Sequence, residues 1–94
     1  MNAFFESLGK RWVEAASQRG AAIEQPELDS GIALELLELA RVAAHTQERR
    51  FAPLASFMAG VAAERLRVAT GASVSEVAEF IREERQQIER EPPV

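Results

Sequence analysis

Apolar residues recur along this chain at three- and four-residue steps, and four such stretches can be read in order. In the first, Phe5, Leu8, Trp12 and Ala15 or Ala16 share one face, with Asn2 placed as an N-cap and Gly20 as a stop, which predicts a helix over residues 3–19. Residues 21–29 hold Pro26 among polar neighbours and read as a connection, after which Asp29 or Ser30 can cap a second helix over residues 31–49. Its main stripe is Ile32, Leu36, Leu39, Ala40 and Ala43. Leu37 and Ala44 widen that stripe, so this helix is expected to sit centrally and touch two neighbours. A third helix is predicted from Pro53, a residue well tolerated in a first turn, to Ala69. It would bury the face of Leu54, Phe57, Met58, Val61 and Arg65 or Val68, with Gly60 allowing either close packing of another helix or a kink or ligand-facing gap. Thr70-Gly71-Ala72 closes it. Ser73 with Glu76 makes a capping box for a fourth helix over residues 74–90, whose stripe is Val74, Val77, Ala78, Ile81 and Ile88, and residues 91–94 should fray.

Four amphipathic helices with short connections predict an all-α, single-domain antiparallel four-helix bundle over residues 1–94. Composition agrees. Ala, Leu, Glu and Arg dominate, Tyr is absent and Ile and Thr are few, so strand signals are weak.

Charge and cysteine content narrow the chemistry. The net charge of −4 argues against a protein that tracks nucleic-acid phosphates. The helix from Ser73, which could be taken for the second half of a helix-turn-helix, presents Glu76, Glu79, Glu83 and Glu84. With no cysteine there is no disulfide, thiolate metal site or cysteine nucleophile, and a cytoplasmic location is expected. No apolar run approaches the length of a membrane span, and residues 1–10 do not read as a signal peptide. The glycines are scattered, so no phosphate loop is present, and no serine sits in a nucleophile elbow. No catalytic constellation and no cofactor site is assigned.

The most unusual polar feature is Arg41, His45 and Arg49 at four-residue spacing, with Arg50 and Pro53 just beyond. One reading is a solvated basic face that complements a helix C-terminus. The other is a binding site, with the two arginines as forked donors and His45 as a switchable third. A metal site built on His45 with Glu38 or Glu48 would be short of ligands. Phe4, Phe5 and Trp12 read either as core at one end of the fold or as aromatic anchors of a contact between copies or with a partner.

The stretch LLELARVAAHTQERRFAPLASFMAG, Leu36 to Gly60, is similar to a small uncharacterised bacterial family of helical domains. There an L-A-R-x-x-A-H pattern precedes E-R and a proline-led A-P-L-x-x-F-x-x-G helix. The matching positions here are Leu39, Ala40, Arg41, Ala44, His45, Glu48, Arg49, Ala52, Pro53, Leu54, Phe57 and Gly60. Arg50-Phe51 departs from the small or proline-rich residues expected before Ala52. Domains of that family occur alone or attached to molybdenum-cofactor guanylyltransferases. The resemblance therefore implies a non-enzymatic accessory role in molybdenum-cofactor maturation, through contact with such an enzyme or a related factor. Two alternatives stay open from the residues. One is a module holding a small anion such as a nucleotide or pterin phosphate on the basic stripe. The other is a self-associating helical unit, a homodimer through the first helix's aromatics.

Overall fold

The computed structural model describes residues 2–91; Met1 and the residues of the expected frayed tail beyond Glu91 lie outside them. Four helices follow in order: α1 (Ala3–Gln18), α2 (Ser30–Thr46), α3 (Phe51–Thr70) and α4 (Val74–Arg90). There is no strand among the described residues, so the all-α, four-helix class read from the periodicity stands. The chain divides into two compact units, one up to Ser30 and one from Gly31 onward.

In the first unit, the Asn2 side chain accepts the Phe5 N–H at 3.2 Å and caps α1. The helix ends in a Schellman arrangement: Gly20, at φ 79°, donates to the Ser17 carbonyl and Ala21 donates to the Ala16 carbonyl, both at 2.9 Å. The segment after it returns across Gly9, the buried residue of α1. A Cβ at Gly9 would lie 2.6 Å from the Pro26 carbonyl oxygen and 3.1 Å from the Gln25 Cγ. Only a residue without a side chain lets the connection pass this close.

The second unit is built from α2, α3 and α4. Leu39, Val77 and Ile81 form its core, with Ile32, Leu36, Ala59, Ala63, Ala72 and Ile88 packed around them. Val42, absent from the predicted stripe, is the most deeply buried of the core residues at 2% exposure. The Ser73–Glu76 capping box forms as predicted, with bonds of 3.2 and 3.3 Å. Gly71, at φ 71°, ends α3 by donating to the Arg67 carbonyl at 2.8 Å.

Two boundaries and two faces differ from the sequence reading. α2 stops at Thr46 rather than Arg49, and α3 begins at Phe51 rather than Pro53. A helix running unbroken through Pro53 would drive the proline ring into the Arg49 carbonyl, so the chain must break before it. It does so over residues 47–50, and Pro53 falls in the first turn of α3, where its missing N–H costs nothing. Leu37, expected to widen the buried stripe of α2, is instead exposed.

The larger correction concerns α3. It turns Ala52, Ala55, Ala59, Ala62, Ala63 and Leu66 inward, while Leu54, Phe57, Met58 and Val68 face out. Both sets obey the helical period, so periodicity alone does not choose between them. Alanine takes the inner side, where small side chains permit close helix packing and Ala59 and Ala63 lie against the core.

Candidate functional site

The basic stripe of α2 is not one continuous row. Arg41 and His45 lie exposed on the helix, but Arg49 sits in the turn beyond its end. Arg41 is already engaged: its Nε and Nη2 donate to the same Glu38 oxygen at 3.1 and 2.9 Å. Arg50 pairs with Glu48 at 3.3 Å, with its guanidinium 5.9 Å from the centre of the Phe51 ring. Both pairs are solvent-exposed, where an ion pair contributes at most about 1 kcal/mol, so a stronger acceptor could displace the local carboxylates. Pro53 is exposed and fixes the start of α3 beside this turn. Thr46 bonds back to the Val42 carbonyl at 2.8 Å, away from any role beside His45. Among the described residues, no three His, Asp or Glu side chains converge as a metal site would require.

What the stripe does share is a face with leucines. At 100° per residue, Leu34, Leu37, Arg41 and His45 fall on the outer side of α2, opposite Leu39 and Ala43. Leu34 and Leu37 are 65% and 68% exposed. The surface is thus two apolar anchors followed by two cationic or titratable side chains.

A second polar group joins α2 to α4. Glu35 accepts from the Arg82 Nε at 2.9 Å and from the Arg85 Nη2 at 3.3 Å, while the Arg85 Nη1 donates to Glu89 at 2.7 Å. Glu35 and Arg85 are mostly enclosed, with side chains 14% and 17% exposed, and the Arg85 Nε is buried without a partner. Burial alone would raise the Glu35 pKa. The hydrogen bonds and charges of Arg82 and Arg85 outweigh it and hold the carboxyl below its ordinary value. This clasp fixes the orientation of α2 and so which way Leu34, Leu37 and Arg41 point. The sequence carried one unused sign of it: Glu35 lies beside the apolar stripe of α2, where an isolated carboxylate would not be tolerated.

On α3, Ser56, Phe57, Gly60, Val61, Glu64 and Arg65 line a shallow, mainly apolar groove. A Cβ at Gly60 would meet nothing within 4 Å, so the close intrachain packing expected there is absent. Glu64 is held by Arg67 at 2.6 Å, and that bond keeps its carboxyl below its ordinary pKa. In α1, Phe4 and Phe5 stack edge-to-face with centroids 5.1 Å apart; both they and Trp12 are exposed.

These features define an all-helical domain with a small apolar core in its second unit and outward apolar faces on its helices. A family model described as a domain of unknown function (DUF6457) matches residues 6–92, and the chain belongs to that family. The match spans both compact units. No curated protein and no solved structure matches the chain.

Proposed function

We propose that this domain is a non-enzymatic protein-interaction module that holds a partner on the outer face of α2. The observation that carries the reading is that Leu34 and Leu37 stand exposed on the side that also presents Arg41 and His45. Apolar anchors beside an arginine are the composition of a contact that contributes affinity at its centre and selects charge at its rim. The cations favour an acidic patch on the partner and set its register. The partner that the family resemblance implies is a molybdenum-cofactor guanylyltransferase or a related maturation factor.

The geometry gives less support to a small-anion site. Arg41 already forks onto Glu38, Arg49 has left the stripe, and the end of α2 presents carbonyls rather than N–H groups.

Calorimetric titration of the chain into a purified guanylyltransferase from the same genome tests the proposal. Saturable binding should weaken at least about tenfold in Leu37→Glu and in Arg41→Glu, with helicity unchanged. No heat with the wild-type chain rejects the guanylyltransferase as partner. Undiminished binding by both variants moves the contact off α2. Saturable thermal stabilisation by a guanine nucleotide, lost in Arg41→Glu, would favour the anion reading instead.

A further inference from the structure

We infer that Glu38 is the specificity-determining residue of the α2 face: it occupies Arg41 in the free chain, and a partner docks by setting a carboxylate of its own in Glu38's place. The inference rests on the α2 contact proposed above and names what that contact selects. Three observations carry it.

The first is placement. At 100° per residue, Glu38 stands about 20°, 40° and 60° round the helix from His45, Leu34 and Arg41, so it belongs to the outward face itself. The face that presents Arg41 therefore presents its counter-charge as well. The pair adds no net charge that would draw an acidic partner from a distance.

The second is occupancy. Nε and Nη2 form an edge of the Arg41 guanidinium that can grip a carboxylate with two parallel bonds, and both donate to Glu38. A partner carboxylate cannot take that edge while Glu38 holds it. Recognition by the fork and displacement of Glu38 are thus one event.

The third is the form of the pair. Glu64 and Arg67 stand at the same three-residue spacing on α3 and are similarly exposed, yet there each donor has its own oxygen: Nε donates to Oε2 at 3.1 Å and Nη2 to Oε1 at 2.6 Å. On α2 both donors share the Glu38 Oε2, at 3.1 and 2.9 Å. Two donors crowded on one oxygen lose the parallel alignment that makes the fork strong. The looser pair is the one that lies beside the exposed Leu34 and Leu37. An incoming carboxylate that gives one oxygen to each donor outcompetes Glu38, whereas an apolar patch without an acid gains nothing from Arg41. The partner surface this fits is an apolar patch with an Asp or Glu at its edge.

Two measurements test the inference. In the free chain, NMR should find the Arg41 Nε–H slow to exchange with water. Glu38→Gln should speed that exchange several-fold and leave Arg67 and the helicity as they were. Titration with the purified guanylyltransferase should show Glu38→Gln binding about three- to fivefold tighter than the wild-type chain, the limit set by the worth of an exposed pair. Glu38→Asp keeps the charge but shortens the reach to Arg41, so it should also tighten binding, by a smaller factor. Exchange at Arg41 that Glu38→Gln does not change overturns the inference. So does weaker binding by Glu38→Gln, which would set Glu38 against a base of the partner, or tightening by Glu38→Gln without Glu38→Asp, which would be net charge alone. Binding that Leu37→Glu abolishes and Glu38→Gln leaves unchanged removes this inference and keeps the α2 contact. No binding by any of these chains removes both.

Discussion

Gly9 and Gly60 both lie inside helices, and alanine at either position gains the same intrinsic helix propensity, about 1 kcal/mol. Their surroundings set the opposite sign. At Gly9 the new methyl carbon would stand 2.6 Å from the Pro26 carbonyl oxygen, roughly 0.6–0.8 Å inside ordinary contact. The obstacle is backbone, so relief requires the connection after α1 to move. Overpacking of this kind costs about 1–3 kcal/mol, and the shift also disturbs the Gln25 side chain, which would stand 3.1 Å away. Net of propensity, Gly9→Ala should destabilise the chain by up to about 2 kcal/mol, with hydrogen exchange accelerated in residues 21–29. At Gly60 no atom stands within 4 Å, so alanine should stabilise the single chain by about 1 kcal/mol, a rise of roughly 4–8 °C in Tm. Thermal and urea unfolding at low micromolar concentration measure both. Propensity cancels between the two variants, and their difference isolates the close approach at Gly9. Stabilisation by alanine at both positions would refute the packing assigned to Gly9, and destabilisation at both would refute the open site at Gly60.

Three further outcomes are expected. Because the folded Glu35 carboxyl is held below its ordinary pKa, its contribution is present above the unfolded value of 4.5 and is lost as pH falls through the folded value. Glu35→Gln should therefore lower stability at neutral pH and flatten the loss below about pH 4.5; an unchanged acid limb in urea titrations at several pH values would remove the clasp from the stability account. Ser73→Ala should cost about 1 kcal/mol by opening the capping box, read as lost helicity and a lower Tm. Ile81→Ala, at a position only 3% exposed, should cost about 2–5 kcal/mol in chemical denaturation; a cost near zero would mean that the core is misplaced.

The sequence made the helices legible because their signals are local. Asn2, Gly20, Gly71 and the Ser73–Glu76 pair act within one turn of the backbone and do what their chemistry predicts. What it left undetermined depends on partners distant in the chain. α3 carries two stripes of equal period, and only α2 and α4 decide that alanines face in. Val42 lies at the edge of the Ile32–Leu36–Leu39–Ala43 stripe, about 60° from Leu39 round the helix, so the period alone does not mark it as buried. Glu35 finds Arg82 and Arg85 some fifty positions later. The basic stripe stops at His45, one turn short of Arg49, because Pro53 acts backward on the chain before it. The outward leucines of α2 became visible only once the buried side was fixed.

The junction of α3 and α4 has a kinetic consequence. Gly71, Ala72 and Ser73 complete both the termination of one helix and the capping of the next, so this turn is specified by its own short segment. The residues it brings together, Ala59 and Ala63 with Val77 and Ile81, are close in sequence, and closing so short a loop is entropically cheap. The hairpin of α3 and α4 is therefore the natural nucleus, formed early and rapidly, with α2 condensing onto it through Leu39 as the later step. Substitutions at Ala59 or Ala63 should slow folding, whereas those at Glu35 should chiefly speed unfolding.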